Sequence, residues 1–121
     1  MGKTVLLVDD STSMRQLVGF ALKDAGFDVI AAIDGKDAMG KLNGTKLALI
    51  ITDLNMPNMN GIDFIKQVRL REGYKFTPIV MLTTESQESK KEEGRQAGAS
   101  GWLVKPFVPE QLLSVVRRFV R

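Results

Sequence analysis

Apolar and polar positions alternate along this chain on two length scales. Short continuous apolar runs at residues 5–8, 47–51 and 79–82 are interleaved with longer segments in which apolar residues recur every three or four positions. The short runs predict buried strands and the longer segments predict amphipathic helices. Met14, Leu17, Val18, Ala21, Leu22 and Ala25 define one helical face, with Ser11, Thr12 or Ser13 as candidate caps and Gly26 as a stop. A strand follows at 27–33. A weaker helix over 36–43 is predicted to break at Gly40 and end near Gly44. The run "LALIIT" is a strand that stops at Asp53, and Asn60 can cap a helix through Ile62, Ile65 and Val68. Pro78 introduces "IVMLTT", residues 86–98 read as a helix, "GWLVK" as a strand, and a last helix starts at Pro109.

Five strands and five helices in strict alternation predict one α/β domain with a doubly wound parallel sheet. Three of the strands are apolar on both faces, as expected where helices cover both sides. Right-handed crossovers then bring every strand's carboxyl end to one edge, where such sheets bind ligands.

Composition narrows the chemistry. The chain has 121 residues and is 44% hydrophobic, enough for a core. It has no cysteine and no histidine, which removes disulfides, thiolate metal sites, thiol catalysis and the commonest general base. Any metal must be held by oxygen, which favours Mg²⁺, Mn²⁺ or Ca²⁺. No apolar run is long enough to span a membrane, and residues 5–8 are too short for a signal peptide. Leu6 breaks a myristoylation signal. Net charge is +3, and the nearest basic patch, "KQVRLREGYK" at 66–75, reads as a solvated helix face with no interleaved aromatics to suggest nucleic-acid binding.

The strand ends carry the candidate chemistry. The first run stops at Asp9 and Asp10, the third at Asp53, the fourth at Thr83 and Thr84, and the fifth at Lys105. The second brings no obvious group, with Asp34 a few residues on. Taken singly, such an Asp is a turn former or helix cap, such a Thr a cap, and a Lys before Pro a solvated side chain. Four strand ends on one edge favour a shared ion and anion site. Three acids held together repel one another unless a cation enters, and a hard divalent ion meets that need. Lys105 balances the acids or binds an incoming anion.

Over its whole length, 1–121, the chain resembles the receiver domains of two-component response regulators. The resemblance is carried by "VDDS" at 8–11, "DLNMPNMNG" at 53–61, "MLTT" at 81–84 and "KPF" at 105–107. It implies a flavodoxin-like (βα)5 fold with strand order 2-1-3-4-5. It implies that Asp53 accepts a phosphoryl group from a partner histidine kinase or phosphotransfer protein. Asp10, the Asp53 carboxylate and the backbone carbonyl of Asn55 would hold Mg²⁺ (or Mn²⁺), and Asp9 would hold it through water. Thr83 and Lys105 would contact the phosphoryl oxygens. Thr84, Glu85 and Trp102 would take part in switching, and Asn55 and Glu85 would tune turn-off. Such a protein catalyses its own phosphorylation and slow dephosphorylation but acts mainly as a switch. "STSMRQLV" and "NMPNMNG" are similar to the stand-alone chemotaxis type. That similarity implies a cytoplasmic monomer that binds neither nucleic acid nor membrane. The surface of the fourth helix, fifth strand and fifth helix would engage a target such as a flagellar motor switch protein.

The chain departs from the family pattern in several places. Trp102 stands where Tyr, Phe or His is usual, and the basic balance contrasts with the acidic charge of the chemotaxis type. Strand alternation sets Trp102 on the opposite face from Lys105, toward the surface between the last two helices. Val108, before Pro109, is expected to be a poor cap. Between 86 and 98 the only aliphatic residue is Ala97, with Gly94 inside the helix, so a loosely anchored element is expected. A phosphate sink or phosphorelay receiver without an output partner is the alternative within the same class. A flavodoxin-like electron carrier would need hydroxyls where Asp9 and Asp10 stand. A phosphatase of the haloacid dehalogenase type would need an acid where Asn55 stands.

Overall fold

A computed structural model describes residues 3–84 and 88–120. The elements alternate as expected: β1 (Thr4–Val8), α1 (Thr12–Asp24), β2 (Asp28–Ala32), α2 (Gly35–Lys41), β3 (Leu49–Asp53), α3 (Gly61–Leu70), β4 (Ile79–Thr84), α4 (Lys90–Ala97), β5 (Gly101–Lys105) and α5 (Pro109–Phe119). The strands form one parallel sheet in the order β2-β1-β3-β4-β5. The predicted fold class and strand order are both observed. No helix among the described residues is long and apolar enough to cross a membrane.

Strand alternation divides the core in two. Leu6, Val8, Ile50, Ile79 and Met81 face α2 and α3, where Phe64, Ile65 and Val68 are fully buried. Val5, Leu7, Leu49, Ile51, Val80, Leu82 and Leu103 face α1 and α5 and meet Val18, Leu22, Leu112 and Val116. Burial of each large aliphatic or aromatic side chain contributes about 2 kcal/mol. The three central strands are therefore apolar along most of their length, and this explains their continuous runs.

The caps follow local sequence. Ser11 accepts from the Met14 N–H, and Asn60 accepts from the Asp63 N–H at 2.9 Å. Val108 has no side-chain acceptor, but the Gln111 side chain reaches back to accept the Val108 N–H at 3.0 Å, so half of a capping box survives.

Three expectations need correction. Helix α2 runs through Gly40 and closes at Lys41, because Asp34 caps its start and Ala38 is buried under it. The basic segment at 66–75 is not uniformly solvated. Arg69 is half-buried and donates to the carbonyls of Tyr74, Lys75, Thr77 and Gly98, with no carboxylate partner among the described residues. It ties the end of α3 to the following loop and to the C-cap of α4. Burial pulls its pKa below the ordinary guanidinium value. Finally, Gly94 is a buried point of close approach: a Cβ there would overlap Sδ and Cε of Met81 on β4. The gap in the apolar pattern of α4 lets the helix backbone approach the sheet.

Candidate functional site

The two-residue period of the strands selects the site. Leu7, Ile51 and Leu103 point toward α1 and α5. Two positions on from each stand Asp9, Asp53 and Lys105, which inherit the same face at the carboxyl edge. The three side chains meet there. Lys105 Nζ lies 3.0 Å from Asp53 Oδ1 and 3.6 Å from Asp9 Oδ2. Asp53 Oδ1 also accepts the Leu54 N–H at 2.9 Å. Asp53 Oδ2 has no hydrogen-bond donor among the described residues. Asp10 is exposed beside them, and Asp9, Asp10 and Asp53 each offer a carboxylate oxygen within 4.8 Å of the others.

Charge in this cluster is unbalanced, with three carboxylates against one ammonium. Asp9 is fully buried; its Oδ1 accepts the Ser11 N–H at 2.9 Å, while its Oδ2 has no hydrogen-bond partner among the described residues. Burial, opposed by the Ser11 bond and reinforced by Asp53, raises the Asp9 pKa above the usual carboxylate value. A buried oxygen without a hydrogen bond, in an all-oxygen acidic cluster, fits a hard divalent cation.

A pH dependence follows for protein kept metal-free with a chelator. A carboxyl whose folded pKa is raised binds protons more readily in the folded state than in the unfolded state. Its contribution to stability is therefore fully present below the unfolded value near 3.8 and is lost as pH rises through the folded value. Urea titrations of wild type and Asp9→Asn should diverge with rising pH, the variant being the more stable near neutrality. A wild-type advantage there would contradict the strained-acid description.

Thr83 lies on the other face, in line with Ile79 and Met81. Its hydroxyl is fully buried without a hydrogen-bond partner among the described residues. Trp102, paired in register with Met81, shares that face, opposite Lys105 as predicted. It is 37% exposed, with the Lys91 ammonium of α4 5.5 Å from the ring centre. Thr84, which ends β4, is half-buried. Glu85 lies outside the described residues. Asn55 is exposed in the loop after β3.

Two contributors escaped the sequence reading. Arg15 donates to the Asp9 carbonyl at 2.7 Å from α1, fixing the backbone at the turn. The second strand end, which seemed to bring nothing, carries Asp34. This residue accepts from Asn58 Nδ2 at 2.8 Å and so reaches the loop after β3. An acid a few residues past a strand was the visible signal, but its partner lies 24 positions away.

Comparison with known proteins agrees with this geometry. A family model described as "Response regulator receiver domain" matches residues 5–117. Chemotaxis protein CheY of Pseudomonas aeruginosa is 37% identical over 115 residues, 94% of this chain and 93% of that protein. The solved chemotaxis response regulator CheY4 of Vibrio cholerae is 51% identical, covers 99% of this chain and 100% of its own, and superposes with a TM-score of 0.94. The receiver domain of sensor histidine kinase PA1611 from Pseudomonas aeruginosa is 26% identical, with 98% of each chain covered and a TM-score of 0.90. Its structure has a magnesium ion coordinated in the active site cleft.

Proposed function

Because the chain belongs to the response regulator receiver domain family, we propose that it is a phosphorylation switch of the chemotaxis type, in which Asp53 is the phosphoacceptor. The observation that carries this reading is the convergence of Asp9, Asp10 and Asp53 within 4.8 Å, with Lys105 Nζ 3.0 Å from Asp53. Leu54 and Lys105 both hold Oδ1 of Asp53, which leaves Oδ2 as the oxygen without a donor. Oδ2 attacks the phosphorus of a phosphohistidine on a partner kinase or phosphotransfer protein. A new O–P bond forms, the N–P bond breaks, and the imidazole nitrogen leaves with the electron pair.

Asp10, Asp53 and the Asn55 carbonyl would hold Mg²⁺, with Asp9 acting through water. The bound ion supplies neutralisation of the phosphoryl charge. Lys105, already beside the acceptor, has only to shift its ammonium from a carboxylate oxygen to a phosphoryl oxygen. Thr83 offers a buried hydroxyl with unmet bonding capacity, and a phosphoryl oxygen would satisfy it. Drawing Thr83 toward that oxygen would disturb the face it shares with Trp102 and α4. The surface of α4, β5 and α5 would then change its affinity for a target such as a flagellar motor switch protein, by shifting an existing equilibrium.

The test is direct. Protein incubated with acetyl phosphate and Mg²⁺ should gain the mass of one phosphoryl group, and a chelator should prevent the gain. Failure of wild type to label, with the fold intact by circular dichroism, would sink the reading.

A further inference from the structure

The loop between β3 and α3 is fastened at two places. At its base the Gly61 N–H donates to the Leu54 carbonyl at 2.7 Å. At its tip Asn58 Nδ2 donates to Asp34 Oδ2 at 2.8 Å. Beside the tip, Met59 lies so close over Gly35 that a Cβ on Gly35 would fall 2.8 Å from the Met59 carbonyl oxygen. Asn55 stands between the two fastenings, exposed, and its backbone makes no hydrogen bond among the described residues. With no backbone bond of its own, Asn55 is held through the chain on either side of it.

The tip anchor is built with care on both sides. Asp34 is 7% exposed and uses its oxygens separately: Oδ1 caps α2 through the Asp37 N–H at 2.8 Å, and Oδ2 takes Asn58. The cap fixes the carboxylate plane, so the second oxygen points in one direction. Asn58 has φ of 71°, the only positive value at a non-glycine residue among those described. Asparagine tolerates this left-handed backbone better than most residues, and the bond to Asp34 offsets the residual cost.

We propose that Asp34 and Asn58 are a positioning pair for the Asn55 carbonyl. They tie the β3–α3 loop to the start of α2 and so hold the carbonyl that would ligate the divalent cation. This rests on the proposed role of the Asn55 carbonyl in metal binding. Neither side chain is among those that would hold the ion. The second strand end therefore serves the site indirectly, through a loop belonging to the third.

Two variants separate the bond from the backbone conformation. Asn58→Gly keeps the left-handed region open and removes only the side-chain bond. The exchanged pair, Asp34→Asn with Asn58→Asp, restores a donor and an acceptor with the total charge unchanged, and Asn at 34 still caps α2. Calorimetric titration should show Mg²⁺ binding weakened about five-fold in Asn58→Gly, the scale of one lost hydrogen bond. In metal-free protein, hydrogen exchange of amides 55–60 should speed up in Asn58→Gly and return toward wild type in the exchanged pair. Wild-type Mg²⁺ affinity in Asn58→Gly overturns the proposal, as does weakened binding with unchanged exchange, or an exchanged pair that regains no protection. A wild-type protein that binds no Mg²⁺ overturns the underlying reading of the site, and this proposal with it.

Discussion

Asp53→Asn should take up no phosphoryl group from acetyl phosphate and Mg²⁺ under conditions that label wild type to completion. The substitution is nearly isosteric, and the side chain at this position is nine-tenths buried at the end of a central strand, so the fold is retained. What changes is the chemistry of two atoms. The amide that replaces the carboxylate carries no charge to attract Mg²⁺ and has no anionic oxygen to attack phosphorus. Lys105 loses the nearer of its two carboxylate partners, at 3.0 Å, and keeps Asp9 at 3.6 Å. Intact-mass measurement reads the outcome. Equal labelling of variant and wild type would move the acceptor elsewhere, with Asp10 the next candidate because it is the exposed member of the cluster.

Gly61→Ala should lower the stability of the metal-free protein by about 3 kcal/mol, toward the upper end of what overpacking costs. Alanine in the first turn of a helix ordinarily gains up to about 1 kcal/mol over glycine. Here a Cβ would overlap the Asp53 carbonyl oxygen and come within 3.0 Å of Leu54 Cα. Both are backbone atoms at the end of a buried strand, with no rotamer by which to yield. The α3 start would have to move off β3, straining the bond from Gly61 N to Leu54 O. Urea denaturation would report the loss, and an unchanged midpoint would show that the loop has slack. The glycine of "NMNG" is thus required by the close approach of α3 to the Asp53–Leu54 peptide.

The sequence disclosed whatever follows from local period and strand polarity. Continuous apolar runs marked β1, β3 and β4 because helices cover both their faces. Asp9, Asp53 and Lys105 were legible because each stands where a strand ends, and parallel strands end together. Trp102 could be placed opposite Lys105 from spacing alone. What stayed hidden depends on partners remote in the chain. Arg69 looked like one more solvated charge, since nothing near it in sequence shows that the carbonyl of Gly98 will come within 2.7 Å. Gly94 looked like a flaw in a helix, because the side chain that needs its missing Cβ belongs to Met81. The Asp34–Asn58 bond joins two loops whose nearness is a product of the finished fold.

The clamp made by Arg69 has a mechanical consequence. Helix α4 is fastened at its C-terminal end, where Gly98 takes two bonds from one guanidinium, while Ser89 at its start provides no side-chain cap. Its eight residues make an arm of about 12 Å. A tilt of about 10° about Gly98 would carry the other end through roughly 2 Å. The N-terminal end is the one nearer β4 and Thr83, and Lys91, one residue into the helix, lies over Trp102. Displacement would be greatest at the end where the phosphoryl signal would arrive and would vanish at the fulcrum, so a push there would tilt the helix without unfolding a turn.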